Sequence, residues 1–219
     1  MTYEWFKLPW ITVVLALATG FAQVPPDAGY PDLNPEALTL TCPVPEPFPD
    51  ETEAQRRQRE AYAAYAEVLA LYFAKVPAEP DETLLVPVDG VRVADIVDTF
   101  GAPRGSGRTH AGIDIFAPRG TPVRSATGGF VWAVEGVSPL GGNAVTVVGA
   151  GGRRYYYSHL DRFADNLREG QPVTPDTVLG YVGTSGNAEA TPPHLHFEFA
   201  DGFSCDWNVV NPYPLLADR

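Results

Sequence analysis

Cysteine is nearly missing from this chain. Only Cys42 and Cys205 occur in 219 residues. Neither has the close spacing of paired metal ligands, which excludes a cysteine-rich structural metal site. Long apolar runs are missing too. The most telling one, residues 8–22, is 15 residues long, short of the roughly 20 that a stable membrane-spanning helix needs. Positive charge is scarce: 15 Lys/Arg stand against 27 Asp/Glu, for a net −12. Such a chain gains nothing electrostatically from a phosphate backbone, so nucleic acid is excluded as a natural partner. An acidic surface of this kind serves solubility. No internal repeat of useful period occurs, which excludes solenoids and arrays.

What is present describes a folded, turn-rich protein. Apolar residues make up 45% and charged residues 19%, enough to bury a core. The 22 prolines and 21 glycines favour many turns between short strands. Charge is uneven along the chain. Residues 1–84 carry 5 Lys/Arg and 13 Asp/Glu, and residues 85–219 carry 10 and 14. The first part therefore holds −8 of the total.

Four regions follow. In residues 1–22, Lys7 precedes the apolar run and Gly20-Phe21-Ala22 ends it with small residues, the layout of an export signal. An uncleaved anchor is the variant reading, and only in that case is a membrane contact expected. No cysteine follows the run directly, so a lipoprotein is not indicated. Residues 23–50 are a proline-rich linker, because repeated proline removes backbone donors and fixes φ. Residues 51–84 hold an amphipathic helix and connector. Asp50-Glu51-Thr52-Glu53 has the capping-box pattern, and Tyr62, Tyr65, Ala66, Leu69, Tyr72 and Phe73 form an apolar stripe that Pro77 ends. Residues 85–219 change to short β-branched and aromatic words punctuated by glycine pairs, the pattern of a mainly β, compact antiparallel sheet. A short helix is expected around residues 96–100. Cys42 and Cys205, at opposite ends of an exported chain, are expected to form one disulfide.

All the histidines, His110, His159, His194 and His196, lie in this last region. In His194-Leu195-His196-Phe197-Glu198-Phe199, strand alternation puts Leu195, Phe197 and Phe199 on a core face. His194, His196 and Glu198 then share the other. Residues 110–115 alternate alike, placing His110 and Asp114 on one face with Gly112 leaving room between them. Each pattern alone also fits ordinary strand histidines. Together they are the residue types of a catalytic zinc site, in which three nitrogen or oxygen ligands leave one position open.

Around these residues the sequence resembles the lysostaphin/LytM-type zinc endopeptidases of bacterial cell walls. The resemblance runs from about residue 91 to 212. It rests on Phe100-Gly101, Arg104, His110-x-x-x-Asp114, Ala117-Pro118-Arg119-Gly120, Gly142-Asn143, Tyr157-Ser158-His159-Leu160, Gly183-x-Ser185-Gly186 and His194-Leu195-His196-Phe197-Glu198. It implies a lysostaphin-like fold, Zn²⁺ held by His110, Asp114 and His196, and His159 and His194 as catalytic histidines. It leaves open which of the two is the general base. Arg104, Asn143 and Tyr157 are candidate residues of the substrate groove. The implied activity is hydrolysis of amide bonds in the peptides of peptidoglycan, which agrees with export to the periplasm, cell envelope or exterior. The competing expectation is a wall-binding or hydrolase-regulating module on the same fold, without catalysis.

Overall fold

A computed structural model of the chain describes residues 76–201 and 208–219, together with Thr52, Glu53, Arg56 and Arg57. The chain divides after Ala74, and nearly all described residues belong to the second unit, Lys75–Arg219. The proposed signal, the proline-rich linker, most of the expected helix and both cysteines lie outside the described residues. At the start of that helix, the Arg56 N–H donates to the Thr52 carbonyl at 2.9 Å, and Arg57 pairs with Glu53 one turn back. No helix among the described residues is long and apolar enough to cross a membrane.

The second unit is mainly β. Its described strands are β1 (Leu84–Leu85), β2 (Gly112–Phe116), β3 (Pro122–Arg124), β4 (Gly129–Ser138), β5 (Gly142–Gly149) and β6 (Arg154–Phe163). They continue with β7 (Pro172–Val173), β8 (Val178–Val182), β9 (His194–Ala200), β10 (Val209–Val210) and β11 (Leu216–Ala217). Nine of them form one sheet through antiparallel pairs, in the order β10-β9-β6-β5-β4-β7. β2 pairs with β9, and β8 pairs with β6 and β3. β1 and β11 form a separate parallel pair that joins the beginning of the unit to its end.

The core follows from strand alternation. Ile113 and Ile115 of β2, Val145 and Val147 of β5, Tyr155 and Tyr157 of β6, and Leu195, Phe197 and Phe199 of β9 all point to one side and are buried. Each fully buried large apolar side chain contributes roughly 1.5–3 kcal/mol. Aromatic pairs add shape: Tyr155 stacks on Phe199 at 5.4 Å and Tyr157 tilts against Phe197 at 5.2 Å. The opposite side of β2, β9 and β6 is where the polar residues collect.

Two local expectations are corrected. Residues 96–100 are not helical. A 3₁₀ turn lies earlier, at Val93–Asp95, and Ile96 is already extended and buried. Beyond it the Asp98 carboxylate accepts the Phe100 N–H at 3.1 Å, a local bond that competes with helix. Gly112 does not serve to leave space for an ion. A Cβ there would lie 2.3 Å from the Phe197 carbonyl oxygen, so the glycine permits β2 to approach β9.

Candidate metal centre

The β2–β9 register sets Asp114 directly opposite His196, and the β6–β9 register sets Ser158 beside His196 on the other flank. His110 precedes β2 and is held by two backbone bonds, its N–H to the Ala102 carbonyl and its carbonyl to the Gly101 N–H, both 2.9 Å. Its imidazole thereby reaches back over β2. His110 Nε2 lies 2.8 Å from His196 Nδ1 and 3.1 Å from Asp114 Oδ1, and His196 Nδ1 lies 3.3 Å from the same oxygen. Three donors about 2.0–2.1 Å from a tetrahedral zinc ion stand roughly 3.3 Å from one another. This triangle of two nitrogens and one oxygen therefore fits a small divalent cation.

Each donor is aimed by a second contact. The His110 Nδ1–H donates to the Thr99 carbonyl at 2.8 Å, which turns Nε2 inward. The Asp114 N–H donates to Thr99 Oγ1 at 3.2 Å, and its Oδ2 accepts from Arg104. Burial pushes the Asp114 carboxyl up. The polar side chains of His110, His196 and Arg104 around it overcome that and hold it well below the usual carboxylate range. His196 is pushed down by burial and raised more by the Asp114 and Glu198 carboxylates. Glu198, raised by burial, is held below its ordinary value by His196 and Arg154.

The other two histidines flank this triangle. His194 is bridged to Gly183 and lies opposite Phe116. Its Nδ1–H donates to the Pro192 carbonyl at 2.9 Å, and its Nε2 is 3.8 Å from Asp114 Oδ1. His159 has φ 63, a left-handed conformation rare outside glycine. Its N–H donates to the Gly141 carbonyl at 2.8 Å, and its Nδ1–H donates to the Ser185 carbonyl at 2.9 Å. That close approach needs Gly142 and Gly186, where a Cβ would strike the facing backbone at 2.4 Å. The His159 and His194 rings stand edge to face at 5.0 Å. With Nδ1–H committed to a carbonyl, each neutral ring keeps its Nε2 lone pair as an acceptor. Burial pushes His159 down to about 4, against the Ser185 bond and aided by His194 and His196.

A cleft of about 520 Å³ opens above these groups. Arg104, His110, Asp114, His159, His194 and His196 line it. Tyr157 and Asn143 do not. Tyr157 is fully buried in the core, where its hydroxyl accepts the Ala126 N–H at 2.9 Å. The Asn143 amide ties β5 to β6 by donating to the Leu160 and Asp161 carbonyls at 3.2 and 3.3 Å. Tyr156, Phe116, Arg108 and Leu140 line the cleft and were not singled out in the sequence. Alternation reaches two of them: Phe116 follows Asp114 by two residues on β2, and Tyr156 precedes Ser158 by two on β6.

Sheet, cleft and paired histidine–carboxylate donors together define a mainly β, antiparallel fold with a candidate metal centre. Residues 108–212 match the model of Peptidase family M23. Over these residues the chain is similar to a peptidase M23 domain. It is similar to the L-Ala–D-Glu endopeptidase of Bacillus subtilis, 38% identical over 126 residues, which are 54% of this chain and 38% of that protein. It is also similar to the DD-carboxypeptidase/endopeptidase Mpg of Neisseria meningitidis, 40% identical over 112 residues, 50% of this chain and 22% of that protein. The chain thus spans well under half the length of these relatives. Among solved structures, one described as a candidate glycyl-glycine endopeptidase LytM from Ruminococcus gnavus matches with a TM-score of 0.50 and 27% identity. It covers 76% of this chain and 72% of that one.

Proposed function

We propose that the chain is an exported zinc metalloendopeptidase that hydrolyses amide bonds in the peptide part of peptidoglycan. One observation carries this reading: His110, Asp114 and His196 converge on a point at the floor of a cleft, with His159 and His194 beside it. Two relatives named above, an L-Ala–D-Glu endopeptidase and a DD-carboxypeptidase/endopeptidase, support this choice of substrate. Export rests on the apolar segment 8–22 and on where that substrate lies.

His110, Asp114 and His196 would hold the ion. A zinc ion bound there supplies Lewis acidity toward water and toward a carbonyl oxygen. The protein supplies the rest. His159 and His194 both line the cleft with Nδ1–H committed to a carbonyl, and the Nε2 of one can accept a proton from water and return it to the leaving amine. The other, once protonated, can donate to the oxygen that gains charge. The carbonyls of Ser185 and Pro192 hold both rings in one orientation, so neither must be reordered when substrate binds. Phe116 and Leu140, more than half exposed, give the cleft apolar walls against which a peptide backbone can lie.

The test compares the wild type with His194→Ala and His196→Ala, measuring zinc content and release of amine termini from purified peptidoglycan. The wild type and His194→Ala are expected to carry about one zinc each. His194→Ala should lose cleavage by about 100-fold or more, and His196→Ala should lose both. Zinc without cleavage of any wall preparation by the wild type would sink the peptidase reading.

A further inference from the structure

Glu198 is the third polar residue on the cleft side of β9, and it is not part of the ligand triangle. Its carboxylate lies between the Arg154 guanidinium and the His196 ring. Oε1 pairs with Arg154 on the adjacent strand, and Oε2 is 3.7 Å from His196 Nε2. Register explains the arrangement: Tyr156 stands opposite Glu198 and Ser158 opposite His196, so Arg154 sits one strand over and two residues further along. The side chains of Arg154 and Glu198 are only 8% and 15% exposed. Water therefore does little to reorient either of them.

The proton of His196 is the point at issue. Its Nδ1 faces His110 Nε2 and Asp114 Oδ1. His110 has already committed its own proton to the Thr99 carbonyl. A neutral His196 then has two choices. A proton on Nδ1 sits among acceptors but occupies the place of a cation. A proton on Nε2 frees Nδ1 and points toward Glu198. Ligating histidines nearly always give their other N–H to a carboxylate or carbonyl, which fixes the tautomer. The Thr99 carbonyl does this for His110, and the group in the equivalent place for His196 is Glu198.

We propose that Glu198, anchored by Arg154, is a positioning residue of the metal centre, accepting the Nε2–H of His196 so that Nδ1 is the ligand atom. The proposal rests on the metal reading above and extends it to two residues outside the ligand set. The bland alternative is a structural ion pair that only joins β6 to β9.

The experiment uses the full chain, stripped with a chelator and titrated with zinc against a chromophoric competitor. Wild type is compared with the double variant Arg154→Met/Glu198→Leu, which replaces both charges of the pair together with apolar groups. The double variant is expected to keep the wild-type thermal midpoint and to bind zinc about 10- to 100-fold more weakly. Glu198→Gln, whose amide oxygen still accepts a hydrogen bond, should lose less. Zinc affinity within twofold of wild type in the folded double variant would overturn the proposal. Should that variant not fold, the nitrogen-15 spectrum of histidine-labelled, zinc-loaded wild type decides. An Nε2–H tautomer at His196 supports the proposal, and coordination through Nε2 overturns it. A wild type that takes up no zinc removes the metal reading itself, an outcome read on the wild type alone.

Discussion

His159 joins an unusual backbone to an unusual ring environment. Its left-handed φ of 63 is held by the Gly141 carbonyl, and burial keeps its imidazole neutral down to about pH 4. The folded value lies below the ordinary 6.5, so the unfolded chain takes up the proton first. The folded state is therefore penalised as pH falls through 6.5, and the penalty is complete below about 4. Its size is about 3 kcal/mol. His159→Asn removes the titration and tolerates positive φ. Denaturant unfolding of the metal-free protein at pH 7 and pH 4.5 should show the variant losing less stability on acidification. Equal losses in both proteins would contradict the burial argument. Much of the site was legible at this scale, because His194, Leu195, His196, Phe197 and Glu198 contrast sharply on alternate faces. Tyr157 was misjudged where that contrast fails. Arg154-Tyr155-Tyr156-Tyr157-Ser158 sets tyrosines on both faces of β6, and the residue types do not reveal which one meets the cleft.

The pairing of β2 with β9 is the element that makes the site. Gly112 is opposite Glu198 in that register, and a methyl group there would stand 2.3 Å from the Phe197 carbonyl oxygen. Rotating a side chain cannot relieve a Cβ–backbone clash, so β2 would have to withdraw. Gly112→Ala should cost about 1–3 kcal/mol and weaken zinc binding, because Asp114 would move away from His196. Urea midpoints together with a zinc titration check this, and an unchanged midpoint would refute the described close approach. Sequence patterning reached β4, β5, β6, β8 and β9 through their β-branched and aromatic runs. It did not reach the parallel pairing of β1 with β11, since two-residue strands more than a hundred residues apart leave no local period. Nor did it reach the extended Ile96, whose burial in the core overrides its short helical surroundings.

At the scale of the molecule, metal and fold are linked. Two imidazoles and a carboxylate brought within hydrogen-bonding distance form a site only in the folded chain, so an ion that binds there stabilises the fold by mass action. Zinc at 100 times its dissociation constant should add about 2.7 kcal/mol. Thermal scans should show the midpoint rising with zinc and falling with chelator in the wild type, and neither shift in His196→Ala. A midpoint indifferent to zinc would mean that the triangle is closed by its own hydrogen bonds.

Asp114 and His196 are 82 residues apart in sequence, and β9 is among the last strands of the unit. A growing chain therefore lacks a complete ligand set until nearly all of the domain has been synthesised. Even then, closing so long a loop comes late and slowly in assembly. Any fragment ending before residue 196 holds at most two of the three candidate ligands. The order of the strands thus ties assembly of the candidate metal centre to the arrival of β9, so prematurely terminated or half-assembled molecules lack the complete triangle.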